Sequence, residues 1–272
     1  MNFIRFEDSR PQEVIAMLAR APVAYVPFGA LEWHGEHGPL GLDGLKAHAL
    51  CAAAATITGG VVFPPVFWGA FHTMPFPFTF RFRPALTKKL VREMLPQLAE
   101  MGFRAIVLLT GHYPPGQIKL LARACRRFNR RGGALALGIP EQALATDLGY
   151  YGDHAGMWET SLMLAIRAEA VDLAAMPAGL PTLERLERYG VMGQDPTVKA
   201  SAEKGRQAMN HIAANLARAV SRVLEEKSAA AFEEIYQTYR RALRPSWRLA
   251  REALDVHSLY ELLRYGWWTI RH

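Results

Sequence analysis

The feature that most constrains this chain is the run Ala-Ile-Val-Leu-Leu at 105–109, inside the segment Phe-Arg-Ala-Ile-Val-Leu-Leu-Thr. It is apolar without interruption, so residues 103–110 read as a strand buried on both faces. Such a strand needs apolar cover above and below. The flanking sequence offers amphipathic segments. Residues 84–101 place Leu86, Leu90, Met94, Leu95 and Leu98 near helical spacing; Pro96 is expected to kink that helix and Gly102 to stop it. After the strand, Pro114 and Pro115 open a helix to Arg131, closed by Gly132 and Gly133.

The same alternation runs along most of the chain. Residues 23–28, 61–63 and 134–139 read as further strands, and 43–57, 159–170 and 199–227 as helices. An aromatic, proline-rich loop spans 64–80. Strands alternating with helices argue for an α/β domain whose mostly parallel sheet is covered on both faces. With 272 residues and domains of about 100–200 residues, one large domain or two small ones are expected. We find no internal repeat and no linker, and divide the chain into a core over 1–227 and a helical, basic C-terminal extension over 228–272.

Composition excludes several classes. Half the residues are hydrophobic and 21% are charged, which gives a sizeable core rather than a disordered chain. Two cysteines, Cys51 and Cys125, supply neither a disulfide framework nor a cysteine-based zinc site. The N-terminus lacks the apolar centre of a signal peptide, and no run of roughly 18 apolar residues exists for a membrane span. A soluble cytoplasmic protein is expected. The net charge of +7 sits largely in the tail, where residues 240–272 hold seven arginines against three acids. A solvated basic helix explains this most simply. No nucleic-acid motif accompanies the charge, so nucleic acid and membrane are not the expected partners.

Three segments carry chemistry. The first follows the strand at 23–28 and packs Glu32, His34, Glu36, His37 and Asp43 into twelve residues rich in glycine. Glu32 and His34, two apart, point the same way in extended backbone, as half a metal site would. Asp43 stands where a helix should begin; an N-cap is its simplest role, but a helix start beside a strand end is also where ligands gather in α/β proteins. The second segment, Thr110-Gly111-His112-Tyr113, leaves the carboxyl end of the central strand. The third, Asp153-His154-Ala155-Gly156-Met157-Trp158-Glu159-Thr160-Ser161, joins a polar cluster to a helix start.

In this order the three segments resemble the creatininase (creatinine amidohydrolase) family. Its Glu-x-His-Gly-x-His-x-Pro-Leu-x-x-Asp motif stands here as Glu32 to Asp43, its Gly-His as Gly111-His112, and its His-Gly/Ala-Gly-x-x-Glu-Thr-Ser as His154 to Ser161. A later family-like stretch runs from Gly190 to Pro196 and continues at Glu203-Lys204-Gly205. The resemblance covers roughly residues 15–225 and implies a three-layer α/β/α sandwich with a hydrolytic site for zinc or manganese, one or two ions per subunit. It would place Glu32 and His112 on one ion, Asp43 as a bridge and His34 on the second. Creatininase completes the second ion with a Glu two residues after the second-motif His; here that position is Pro114, and Glu159 becomes the replacement. His154 matches the family's catalytic His, with Asp153 where creatininase has a Glu that could orient it. Tyr113 matches an active-site Tyr, and His37 is expected in a structural role. Trp158 and the loop 71–80 are aromatic walls or simple packing.

The implied function is metal-dependent hydrolysis of a non-peptide C–N bond in a small cyclic or linear amide, in a homo-oligomer, which in this family is commonly a hexamer. The competing reading is a catalytically weakened member that binds an anionic partner through its basic tail.

Overall fold

The computed structural model describes residues 2–71 and 73–271. The chain begins with strand β1 (Phe3–Arg5), helix α1 (Pro11–Arg20) and strand β2 (Val23–Phe28). Helix α2 (Leu42–Thr58) leads to the short β3 (Gly60–Val62), and a long loop to α3 (Pro84–Glu100) and β4 (Ala105–Thr110). Then come α4 (Pro115–Asn129), β5 (Leu135–Pro140), α5 (Met157–Ile166), α6 (Thr182–Tyr189), the single turn α7 (Pro196–Lys199) and the long α8 (Ala202–Glu226). The extension folds as α9 (Ala230–Ala242), α10 (Trp247–Leu254) and α11 (Leu259–Arg271). No described helix is long and apolar enough to cross a membrane.

The strands form a parallel sheet in the order β1-β3-β2-β4-β5. Every residue of β4 is buried, and the side chains split by parity. Ala105, Val107 and Leu109 join one apolar core with residues of α2, α5, α8 and α9. Ile106 and Leu108 join a second core with residues of α1, α3 and α4. That period-two division of one apolar strand between two helix layers is the α/β/α sandwich.

The sequence expectations for 23–28 and the neighbouring helices fall within two or three residues of these elements. Elsewhere the structure adds or shifts segments. β1, α1 and α6 were not anticipated; β1, three residues long and half-exposed, carries too little apolar pattern to read. The helix expected at 159–170 starts at Met157 and stops at Ile166, and the one expected at 199–227 is split by Ser201, whose Oγ accepts the Lys204 N–H at 3.2 Å and starts α8. Gly205 then lets α8 pack onto α5, since a Cβ there would lie 1.8 Å from the Ser161 carbonyl oxygen.

The extension is not a loose tail. Ala231, Phe232, Tyr236 and Tyr239 of α9 enter the main core. Tyr265 and Trp268 of α11 form a smaller cluster with Met74, Leu186 and Val256.

Candidate metal centre

Strand order reverses between β2 and β4: from β2 the chain moves outward to β3, then crosses back to β4 on the other side. Ligand sites in open α/β sheets collect beyond the carboxyl ends of such a pair. Phe28 and Thr110 pair at that end, so the loops carrying Glu32 and His112 leave from adjacent positions. The first turn of α2 wedges against both. A Cβ on Gly29 would lie 2.2 Å from the Gly44 nitrogen, and one on Gly111 2.2 Å from the Asp43 carbonyl oxygen. Only glycine permits an approach this close, and it delivers Asp43 between the two loops.

Asp43 is not the N-cap of α2; that residue is Gly41, and Asp43 occupies the second helical position. Its carboxylate turns inward, accepting the Ala30 N–H at 3.2 Å. There it meets two histidines: His34 Nε2 lies 3.1 Å from Oδ1 and His112 Nδ1 lies 3.2 Å from Oδ2. His112 Nδ1 is also 2.7 Å from Glu32 Oε1, and His34 Nε2 is 3.8 Å from Glu159 Oε2. All five residues are at most 3% exposed.

The donor atoms group into triads that could each hold a cation: Glu32, Asp43 and His112; His34, Asp43 and Glu159; and Glu32, His34 and His154. Asp43 belongs to the first two. The remaining ring nitrogens are occupied. His34 Nδ1 donates to the Glu32 carbonyl at 3.0 Å and His112 Nε2 to the Phe71 carbonyl at 3.3 Å. Such bonds fix the tautomer and leave the opposite nitrogen, the one facing Asp43, as a ligand. Glu32 Oε2 accepts the Met74 N–H at 3.0 Å, leaving Oε1 toward His112.

A family model described as creatinine amidohydrolase matches residues 7–220. The chain belongs to the creatininase family. It is 28% identical to the creatinine amidohydrolase of Pseudomonas putida over 73% of this chain and 88% of that protein. It is 29% identical to a mycofactocin precursor peptide peptidase of Mycolicibacterium smegmatis over 68% of this chain and 79% of that one. A solved creatininase superposes with a TM-score of 0.65 at 26% identity, covering 80% of this chain and 96% of the other. Related solved structures include a zinc–zinc form of a creatininase mutant and a manganese creatininase, each with a TM-score of 0.60.

Within this creatininase-family fold, Pro114 lies at the edge of the cavity described below and brings no ligand atom, whereas Glu159 reaches the cluster. Glu159 is the third residue of α5, and its carboxylate folds back so that Oε2 accepts the Ala155 N–H at 2.7 Å. Its other oxygen pairs with Lys46. Lys46 is fully buried, bonded also to Glu141 Oε1 at 2.9 Å and to the Tyr113 hydroxyl. Tyr113 in turn donates to Glu141 at 2.5 Å and contacts the Tyr150 hydroxyl. The sequence reading missed Lys46 and Glu141. Lys46 is one turn of α2 beyond Asp43 on a helix that reads as alanine-rich cover; a charge among those alanines was the available signal.

Asp153 caps the start of α5, accepting the Trp158 and Glu159 N–H groups at 2.7 and 3.3 Å. It therefore positions Glu159 rather than bonding to His154. His154 donates from Nε2 to the Trp33 carbonyl at 2.7 Å and stacks on His34 with ring centres 4.4 Å apart. Its strand-like backbone pairs with Met192 in the family-like stretch after Gly190. His37 lies behind the cluster, bonded through Nε2 to the Thr160 hydroxyl at 3.0 Å. Glu36 is exposed. Trp158 stacks on Tyr150 and Phe76 on Trp33, so these aromatics pack rather than wall the site.

The electrostatics are those of a site crowded with carboxylates. Burial works against every charge, but the Asp43 carboxylate pushes His34 up to about 9 and the Glu32 carboxylate pushes His112 up to about 10. Against the same burial, the imidazoles hold Glu32 and, more strongly, Asp43 below the ordinary carboxylate range. Burial and the neighbouring Glu159 raise Asp153 to about 8, and burial with the His34 ring lowers His154. A cavity of about 900 Å³ opens over the cluster, with Glu32, Asp43, His112, His154 and Glu159 in its floor.

Proposed function

We propose that this protein hydrolyses the C–N bond of an amide using divalent cations held by Glu32, Asp43 and His112 on one side and His34, Asp43 and Glu159 on the other. The observation that carries this reading is Asp43, whose two oxygens face different histidines and which is shared by both triads. The residues fit such ions. Four carboxylates, Glu32, Asp43, Glu141 and Glu159, are buried at the site, and among the described residues Lys46 is the one Lys or Arg paired with any of them; charges at that depth need compensation. The donors are mixed nitrogen and oxygen, a set suited to zinc or manganese. When bound, a divalent cation supplies Lewis acidity, making hydroxide available near neutral pH and stabilising negative charge on the carbonyl oxygen.

The chain's own groups supply the rest. Water adds its oxygen to the carbonyl carbon, the C–N bond breaks, its electron pair goes to nitrogen, and nitrogen leaves as the protonated amine beside a carboxylate product. His154, kept neutral by burial, can take the proton from water and deliver it to the leaving nitrogen. Asp153 holds the first turn of α5 and so places Glu159 next to His34. Lys46, itself bonded to the Tyr113 hydroxyl, braces Glu159. A small-molecule amide is the substrate this reading favours. The comparisons lend no support to a tail-mediated anion binder.

Asp43→Asn tests the proposal. Removing the shared carboxylate should lower bound zinc or manganese, measured by mass analysis, and reduce amide hydrolysis about 10³-fold or more. Full metal content with full activity would refute it.

A further inference from the structure

The floor of the cavity and one of its walls come from the family core, but the facing walls do not. One wall is α4, whose Ile118, Lys119, Ala122 and Arg126 face the space. From Pro115 to Arg126 that wall runs about 16 Å, at a rise of about 1.5 Å per residue. Facing it are Tyr236, Tyr239 and Arg240 of α9 with Leu243 just beyond its end. These recur at helical spacing and so share one stripe of α9. Leu262, Tyr265, Gly266 and Thr269 of α11 repeat the pattern. Both helices lie beyond residues 7–220, the extent of the family match.

The volume of about 900 Å³ is that of a drug-sized or larger ligand, and a small single-ring amide would leave most of it empty. Charge is segregated along it. Every carboxylate in its lining, Glu32, Asp43, Asp153 and Glu159, belongs to the buried floor. The outer walls carry Lys119, Arg126 and Arg240. Arg126 is taken, held by Glu233 at 2.6 Å and stacked over Tyr236. Lys119 and Arg240 are exposed, and no acidic side chain among the described residues pairs with either.

We infer that the substrate is a linear amide ending in a carboxylate. Its apolar or aromatic body lies between α4, α9 and α11, and its anionic end meets Lys119 and Arg240. This deepens the hydrolase reading and rests on it for the position of the scissile bond. An extended chain advances about 3.3 Å per residue, so the α4 wall accommodates several residues of a peptide or the equivalent length of an acyl chain.

Calorimetric titration of the full-length, metal-loaded protein tests this with five probes: N-octanoylglycine, an acetylated apolar tripeptide, the carboxamide of each, and creatinine. The free-carboxylate forms should bind about tenfold tighter than their carboxamides, as expected for one charge-assisted contact. The double substitution Lys119→Gln and Arg240→Gln, at exposed positions, should collapse that ratio to about onefold. The tighter of the two carboxylates identifies acyl-amino acid or peptide as the source. Equal binding of carboxylate and carboxamide, or creatinine binding as well as either linear probe, overturns the inference. Amine release is measured in parallel. The predicted binding pattern without turnover of any probe would refute the hydrolase reading and leave the cavity assignment standing; turnover without the pattern would do the reverse.

Discussion

The floor and the roof of one cavity are built by opposite means. The floor is a set of charged side chains at the switch point of the sheet, nearly all without solvent contact: Glu32, His34, Asp43, Lys46, His112, Glu141 and Glu159 are between 0 and 3% exposed. Each is bonded to at least one of the others, and Asp43, His34, His112 and Lys46 each to two or more. The roof is made of helices seated by apolar contacts such as Tyr265 and Trp268 on Met74 and Leu186. It is tied at its edge by solvent-facing pairs such as Arg264–Glu187, at 2.8 Å with both partners about two-fifths exposed. Low-dielectric surroundings make the floor's electrostatics strong and its geometry stiff, whereas water weakens the roof's charges. On the proposed function, chemistry would fall to the floor and selectivity to the roof.

Substitutions graded from floor to roof can break this contrast. His154→Gln removes the proposed proton carrier and should lower kcat about 10²–10⁴-fold while bound metal stays at the wild-type level, since both Asp43 triads remain; a small kcat change would move proton transfer elsewhere. Lys46→Met leaves Glu141 and Glu159 buried without their cation and should cost about 3–5 kcal/mol in chemical denaturation. A loss under about 1 kcal/mol would show that the floor tolerates slack.

His37 tests burial by pH. Burial and the nearby His34 and His154 rings lower it from 6.5 to about 4. Below about pH 6.5 the unfolded chain takes up a proton that the folded protein refuses until about pH 4, so this contribution to stability is lost as pH falls through that window. The loss should reach about 3 kcal/mol at the acid end, and the pH dependence of Tm in His37→Gln should lack it. At the roof, Arg264→Ala should change stability by less than about 1 kcal/mol. A larger loss would mean the solvent-facing pairs hold α11 in place.

Legibility followed the range of the interaction. The run at 105–109 gave β4, and Glu32, His34 and Asp43 lie close enough in sequence for their spacing to be read. The start of α5 was set two residues late because Asp153 caps it through its side chain, a bond the apolar pattern does not record. Trp158 and the aromatics after Phe71 read as walls or as packing, and Trp158 and Phe76 pack; the cavity takes its aromatic lining from Tyr113 and Tyr151 and, in the extension, from Tyr236, Tyr239, Tyr265 and Trp268.

By itself the sequence determined the layering and the donor types, because side-chain periodicity and motif spacing are local properties of the chain. Only the tertiary structure decided that Lys46 would neutralise Glu141 and Glu159, which are 95 and 113 residues away, and that two helices near the C-terminus would close over the site. Burial converts such distant pairs into strong interactions, and burial is settled by how the layers pack.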